Sequence, residues 1–130
     1  MLVFGGLGDV LSNLTAKRTA AAVQRDMTEM VRLSRERGAE AIVLTTHPWA
    51  GSAAYDGVRA AMARDINAWI LEAGRSRAID ATFDTRPVLS CGDLERLCDT
   101  AAAPDRLHLS KDGQRALGEA LHAALFADCL

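Results

Sequence analysis

Apolar positions along the chain follow two different spacings. Short continuous apolar runs that end in glycine, proline or polar residues predict buried strands, while apolar residues spaced three and four apart predict amphipathic helices. The predicted strands span residues 2–4, 41–46 and 78–80, and the predicted helices span residues 16–37, 56–73 and 111–126. Because strands and helices alternate, the pattern predicts a single α/β domain over residues 1–130, with helices packed on a parallel sheet.

Residues at the ends of the predicted helices favour these boundaries. Asp56 and Ser110 each precede a helix and can accept hydrogen bonds from its first free backbone N–H groups. Gly38 and Gly74 each follow a predicted last turn, where glycine can adopt the left-handed conformation that ends a helix. The helix assignments therefore rest on capping residues as well as on apolar spacing.

The expected parallel sheet places the candidate ligand site at the carboxyl ends of its strands. Three segments follow those ends: the turn from Gly6 to Asp9, the loop after Thr46, and the segment that leads to His108. That last segment belongs to the connection 81–109, in which one helical turn is predicted at residues 93–97. A connection of this length is unusual in a compact domain and indicates either a functional loop or undetected elements.

The composition narrows the classes of partner. Apolar residues make up 49% of the chain, charged residues make up 25%, and the formal net charge is −2, which gives no basis for binding nucleic acid or an anionic membrane. No apolar run reaches the ~18 residues of a transmembrane helix, and the N-terminus has no signal-like pattern. If these 130 residues are the whole protein, a cytoplasmic location is expected; otherwise the location is open.

Three cysteines, Cys91, Cys98 and Cys129, bear on metal binding and redox state. Their spacing contains no CxxC pair and no cysteine–histidine zinc pattern, so neither a metal nor another cofactor is expected. Cys91 and Cys98 could close a small disulfide in an oxidising compartment. Free thiols are the favoured interpretation, and the odd count supports it.

The sharpest chemical pattern lies in residues 104–113. His108 stands three residues after Asp105, so the carboxylate can support one ring nitrogen while the other takes a proton from a hydroxyl nucleophile. His108 also precedes a predicted helix N-terminus, whose dipole disfavours the charged imidazole. Asp-x-x-His is a short pattern, and a surface turn without chemistry explains the same spacing about equally well.

The string Asp-x-Leu-His-Leu-Ser-x-x-Gly over residues 105–113, followed by an alanine- and leucine-rich helix, resembles the last conserved block of the SGNH (GDSL-type) hydrolases. The preceding order of elements is similar to that family from its Gly-x-Asn-Asp block to its end. The resemblance implies a three-layer α/β/α fold of flavodoxin-like type, here without its first strands and its nucleophile turn. It also implies hydrolysis of an ester by acyl transfer to serine.

The resemblance assigns roles to particular residues. His108 corresponds to the catalytic base and Asp105 to the carboxylate that supports it. Gly6, Gly8 and Asp9 fall in the oxyanion and substrate region. A small-molecule or carbohydrate ester is the implied substrate.

Two departures from the family pattern bear on activity. Gly-Asp-Ser, the nucleophile block, is absent; the nearest string is Gly8-Asp9-Val10, and valine has no hydroxyl with which to attack a carbonyl. Gly8 also stands where the family has an oxyanion asparagine, and losing one such donor costs ~10²–10³ in turnover. This chain alone is therefore expected to be inactive, with its serine either outside the chain or lost.

The remaining candidates concern binding. His47 and Trp49 could line an acyl or sugar pocket. An ordinary loop histidine is the favoured interpretation of His47, and Trp49 could equally cover the edge of the core. A non-catalytic interaction module on the same fold is the alternative function, since a sheet without its first strands exposes an edge that can pair with another copy of the chain. Gly5-Gly6-Leu7-Gly8 is a weaker candidate for a phosphate-binding turn, because it lacks the G-x-G-x-x-G pattern.

Overall fold

The computed structural model contains a parallel sheet whose three strands lie side by side in chain order. The strands are β1 (Leu2–Val3), β2 (Ile42–Leu44) and β3 (Ala81–Phe83), and β2 lies in the middle. Val3 is paired with Val43, and Val43 with Thr82. The expected α/β class with a parallel sheet is confirmed.

The structure describes residues 1–12 and 18–127, which fall into two compact units. The first unit comprises Met1–Thr46 and Asp56–Asp84 and holds the sheet with helices α1 (Leu7–Leu11), α2 (Ala20–Glu36) and α3 (Gly57–Arg75). The second unit comprises His47–Tyr55 and Thr85–Leu130 and holds helices α4 (Arg86–Leu89) and α5 (Lys111–Leu125). None of the described helices is long and apolar enough to cross a membrane.

The core of the first unit forms where the apolar faces of α2 and α3 and the middle strand are buried. The contributing side chains are Val23, Met27, Val31, Val43, Leu44, Ile66 and Ile70, each at most 2% exposed. Burial of a single side chain of this size stabilises the folded state by roughly 1.5–3 kcal/mol. This burial explains why apolar residues recur three and four positions apart in α2 and α3. Met30, which the helical pattern also assigns to this face, is 38% exposed.

Side-chain caps begin the three long helices. Asp56 accepts a hydrogen bond from the Arg59 amide at 2.8 Å and Ser110 accepts one from the Gly113 amide at 3.1 Å, so both predicted caps are confirmed. α2 begins at Ala20, later than predicted, because Thr19 has an extended backbone and its hydroxyl caps the helix. Residues 16–17 of the predicted helix lie outside the described residues.

Glycine ends one predicted helix but not the other. Gly38 follows α2 with φ +73°, the left-handed conformation expected after a last turn. The prediction for Gly74 is wrong, since α3 continues to Arg75. A Cβ atom on Gly74 would lie 2.3 Å from the Thr82 hydroxyl, so the glycine permits close packing of α3 on β3.

The long connection contains elements that the sequence pattern does not reveal. The third strand is Ala81–Phe83, and its predicted position at 78–80 is wrong: Ile79 is buried in the loop, where its amide donates to the Ala73 carbonyl at 3.1 Å. The helical turn predicted at 93–97 is also wrong, because the helix lies at Arg86–Leu89. Cys91 and Cys98 form a disulfide, which overturns the interpretation of these two as free thiols.

Candidate active site

Asp105 and His108 lie side by side in one turn of the second unit. His108 Nδ1 lies 2.6 Å from Asp105 Oδ2, and the side chains are 75% and 50% exposed. The amides of Leu107 and His108 both donate to Asp105 Oδ1 at 3.0 Å. Donation from the His108 ring, followed by donation from these two amides, holds the pKa of Asp105 well below its usual range.

This arrangement fixes the tautomer of His108 and leaves its second nitrogen open. An ionised carboxylate only accepts hydrogen bonds, so Nδ1 carries the proton and Nε2 is unprotonated in the neutral ring. Among the described residues, no group forms a hydrogen bond to Nε2. A neutral imidazole with a supported Nδ1–H and an open Nε2 can accept a proton from a hydroxyl group.

The backbone around the pair is tied at several points. Arg106 has φ +58°, a left-handed conformation that costs a non-glycine residue of order 1–3 kcal/mol. Its guanidinium forms an ion pair with Asp99, and its amide donates to the Ala103 carbonyl at 2.9 Å. The His108 carbonyl accepts from the Ala103 amide at 2.9 Å, so both sides of the turn are connected to residue 103.

Helix α5 packs tightly behind the pair. Ser110 caps the helix, and its amide donates to the Ala101 carbonyl at 2.9 Å. Gly113 in the first turn lies so close to residue 101 that a Cβ atom there would be 2.4 Å from the Ala101 carbonyl oxygen. The position of His108 is therefore set by the helix start as well as by the turn.

His47 lies next to the same turn. Its Nε2 is 2.7 Å from the Leu107 carbonyl oxygen, which can only accept, so Nε2 carries the proton. Burial, together with the nearby His108 ring, lowers the pKa of His47, while the bond to Leu107 opposes this shift. His47 is therefore a neutral donor at neutral pH.

Trp49 does not line an open pocket; its side chain is buried, only 3% exposed, and stacks edge-on against Tyr55 with ring centroids 4.9 Å apart. The amides of Trp49 and Ala50 donate to the Glu95 carbonyl at 3.0 and 2.6 Å, and the Tyr55 hydroxyl donates to the Glu95 carboxylate. Of the two residues expected to line a pocket, Trp49 is thus part of the packing of the second unit.

Gly6, Gly8 and Asp9 belong to the first unit, at the carboxyl end of β1. Gly6 precedes α1 with φ +95°, and a Cβ atom there would lie 3.3 Å from Met27 Cε. Gly8 has no atom within 4 Å of such a Cβ, so its position has room for a larger side chain. Asp9 forms an ion pair with Arg18 at 2.8 Å and is not available as a free carboxylate.

Sequence reasoning missed a buried amide that shapes the end of β2. Asn67 Oδ1 in α3 accepts from the Thr46 amide at 2.8 Å and from the Thr46 hydroxyl at 3.0 Å, and both residues are at most 5% exposed. The detectable signal was an asparagine on the apolar face of a helix, since a buried amide requires polar partners. No such local signal exists for the contact between His47 and Leu107.

Within residues 1–12 and 18–127, no three histidine, cysteine or acidic side chains are grouped as metal ligands would be.

Comparisons with known proteins identify the fold. No protein-family model matches the chain, and no curated protein sequence matches it. A putative acylhydrolase from Bacteroides fragilis is similar in structure, with a TM-score of 0.79, 18% identity and 95% of this chain covered. A GDSL-like lipase from Bacteroides thetaiotaomicron has a TM-score of 0.75, 18% identity and 99% of this chain covered.

The comparison also shows how much of such a protein this chain represents. The matches cover 59% and 62% of the two solved chains, so this chain spans about three fifths of their length. In the flavodoxin-like strand order 2-1-3-4-5, the last three strands are neighbours in sequence order, as β1, β2 and β3 are here. The chain has an SGNH/GDSL hydrolase-like α/β fold.

Proposed function

We propose that this chain is the acid–base portion of a serine ester hydrolase, in which His108 is the general base and Asp105 supports it. The observation that carries the proposal is the 2.6 Å contact between His108 Nδ1 and Asp105 Oδ2, with the ring 75% exposed and Nε2 open among the described residues. A carboxylate in this place orients the ring and stabilises the imidazolium that forms during reaction. The likeness in fold to a GDSL-like lipase supports this choice of reaction class.

The proposed reaction is acyl transfer through a serine hydroxyl. As the serine oxygen bonds to the acyl carbon, its proton moves to His108 Nε2. The imidazolium then gives that proton to the departing alcohol as the carbon–oxygen bond breaks. Water repeats the sequence on the acyl-enzyme, giving up a proton to Nε2 and releasing the acid and the free serine. The substrate is a small-molecule or carbohydrate ester.

The nucleophile of this reaction is proposed to lie outside the 130 residues. Val10 follows Gly8 and Asp9 where a serine would complete a Gly-Asp-Ser string, but its side chain is completely buried. A hydroxyl at that position would be enclosed in the core rather than presented to an ester. This supports assigning residues 6–9 to the Gly-x-Asn-Asp region instead of to the nucleophile turn.

The first test is labelling of the folded 130-residue protein with a fluorophosphonate, followed by intact-mass analysis. We expect no stoichiometric adduct. An adduct on one serine that is lost in His108→Ala would contradict an external nucleophile while supporting the hydrolase chemistry.

The second test uses the complete reading frame. The coding sequence upstream of Met1 is examined for an in-frame Gly-Asp-Ser block, and the protein encoded by the whole frame is assayed with p-nitrophenyl acetate. We expect hydrolysis that falls by at least about 10³-fold in His108→Ala. His122→Ala, which changes an exposed histidine of α5, serves as the matched control and should keep full activity. Absence of both hydrolysis and a labelled serine in the whole protein would refute the proposed function.

A second candidate function is a non-catalytic interaction module that pairs with another copy of itself. Five of the eight exposed large apolar side chains among the described residues lie at or beside β1: Met1, Leu2, Phe4, Met30 and Leu33, each 38–53% exposed. A standard interface buries ~800 Å² on each partner, so these five residues would form only part of one. Pairing of the two β1 backbones would add to the buried area.

Both candidates use the β1 edge, and the oligomeric state separates them. In the hydrolase, that edge adjoins the strand that comes first in a flavodoxin-like sheet. In the interaction module, a second copy covers it. Sedimentation equilibrium of the 130-residue protein should then give a dimer that Leu2→Lys converts to a monomer. Val58→Lys, at an apolar site on α3 that is 64% exposed against 53% for Leu2, should not. A monomer at ~100 μM, an ordinary concentration for weak dimers, removes this candidate.

A further inference from the structure

We infer that His47 is a positioning residue for the Asp105–His108 pair, which it holds through the carbonyl group of Leu107. The inference rests on the proposed function only for the role of the pair. The contact itself joins residues 60 positions apart in the chain, with His47 Nε2 2.7 Å from the Leu107 oxygen.

The turn that carries the pair needs support from outside itself. Its residues are exposed or half-buried, none is fully buried, and Arg106 within it is held at φ +58°. A backbone in that region persists where the surrounding structure fixes it. The contacts between Asp105 and the Leu107 and His108 amides lie within the turn, so they would move with it if the turn changed shape.

His47 acts on the peptide group that joins Leu107 to His108. The carbonyl of Leu107 and the amide of His108 belong to the same planar unit. The His47 ring donates to the oxygen of that unit, and the nitrogen of the unit donates to Asp105 Oδ1 at 3.0 Å. The peptide plane is thus fixed at both ends, and two hydrogen bonds in series polarise each other. Rotation of this plane would carry the His108 side chain away from Asp105.

His47 is itself anchored. Pro48 restricts the backbone of the residue before it, and the next two amides, of Trp49 and Ala50, donate to the Glu95 carbonyl at 3.0 and 2.6 Å. The His47 ring is half-buried, and its lowered pKa keeps it neutral at neutral pH. It therefore donates to Leu107 as a neutral group. A fixed donor is what a positioning role requires.

The test uses two substitutions of the same length, one with a donor and one without. His47→Gln keeps an N–H group within reach of the Leu107 carbonyl, whereas His47→Met has a similar length and no donor. Both variants are first checked for folding by circular dichroism and thermal melting. The protein has three histidines, so single substitutions assign every imidazole signal in a nitrogen-15 NMR spectrum.

Two signals of His108 report the outcome. In the native protein and in His47→Gln, we expect the Nδ1–H tautomer of His108 to dominate and its backbone amide to exchange slowly with solvent. In His47→Met, we expect tautomer mixing and an amide exchange rate about 2- to 10-fold faster, the equivalent of one lost hydrogen bond. A purely structural histidine would change the melting temperature without changing the tautomer of a ring on another segment.

The result that would overturn the inference is the same tautomer pattern and amide exchange in the methionine variant as in the glutamine variant. Should His47→Met fail to fold, His47→Asn replaces it, because its amide is one methylene shorter and does not reach Leu107. Since neither signal requires substrate or a nucleophile, failure of this inference is separate from failure of the proposed hydrolase function.

Discussion

Gly113 offers the sharpest test of how α5 positions the candidate site. A Cβ atom at this position would lie 2.4 Å from the Ala101 carbonyl oxygen and 3.0 Å from Ala101 Cα. Because an ordinary contact is close to 3.5 Å, Gly113→Ala requires a movement of about 1 Å by the helix or by residue 101. Gly118, on the same helix, has no atom within 4 Å of such a Cβ and provides the matched control.

The expected magnitudes follow from two opposing effects. Replacing glycine by alanine inside a helix stabilises it by about 0.5–1 kcal/mol. Overpacking against fixed neighbours costs about 1–3 kcal/mol, and only Gly113→Ala has this cost. The free energy of unfolding should therefore rise by about 0.5–1 kcal/mol in Gly118→Ala and lie about 1–3 kcal/mol lower in Gly113→Ala than in Gly118→Ala. Urea denaturation of the two variants measures this difference directly.

Gly113→Ala should also disturb the site. Ala101 accepts the hydrogen bond from the Ser110 amide, and Ser110 begins the helix directly after the Asp105–His108 turn. The rate at which diethyl pyrocarbonate modifies His108, followed by mass spectrometry, should change in Gly113→Ala and stay at the native value in Gly118→Ala. Equal stability of the two alanine variants would refute the close packing of residues 101 and 113.

Three further predictions follow from single features. The lowered pKa of Asp105 means that its carboxylate stabilises the fold above its ordinary pKa near 4 and that this stabilisation is lost as the pH falls through the folded-state pKa. Asp105→Asn should therefore be less stable than the native protein at pH 6, with a difference that shrinks as urea titrations are repeated from about pH 4 to pH 2. Gly6→Ala should be destabilising, because φ is +95° and Met27 is close. Gly8→Ala should be neutral or stabilising by up to about 1 kcal/mol. A higher melting temperature for Gly6→Ala than for Gly8→Ala would contradict the geometry of α1. Replacing Cys91 and Cys98 by serine should lower the free energy of unfolding by about 2–2.5 kcal/mol, since the bridge closes a loop with a sequence separation of 7, and a reductant should have no further effect on that variant.

Local patterns predict the three long helices well and the third strand poorly. Asp56 and Ser110 could be identified because capping depends on a side chain within three residues of the groups it satisfies. The sequence pattern predicts this strand at 78–80, around Ile79. Ile79 is buried, but in the loop after α3, and pairing with β2 begins only at Ala81. Strand position depends on the partner strand, which lies far away in the sequence.

Close approach is a second property that a single sequence does not reveal. Gly74 was interpreted as the end of α3 because glycine commonly follows a last turn. The structure gives a different reason for glycine there: Thr82 lies where a side chain would have to be. The same residue type at Gly38 does end a helix. The two glycines differ in their distance to a neighbouring element: a Cβ atom on Gly74 would clash with Thr82, whereas one on Gly38 would have no atom within 4 Å.

In the candidate site, too, contacts between residues close in sequence could be predicted, whereas contacts that depend on tertiary packing could not. Asp105 and His108 are three residues apart, so their contact could be foreseen from spacing and from the resemblance to the last SGNH block. For Cys91 and Cys98 the sequence favours free thiols, which the disulfide overturns, since short spacing permits a bridge without requiring one. The ion pair of Asp9 with Arg18 and the burial of Trp49 depend on tertiary packing and were not foreseen.

The contact between Asp105 and His108 forms within a single turn. An aspartate that accepts the amides two and three residues ahead is a common turn, and a histidine at the third position can meet the carboxylate without any selection for catalysis. The contact of His47 with Leu107 is different, because it places an imidazole in a half-buried environment that lowers its pKa and aims its proton at the turn from 60 residues away. The contact of His47 with Leu107 therefore adds a long-range support to the local contact of His108 with Asp105, which carries the proposed function, and the comparison of His47→Gln with His47→Met tests that support.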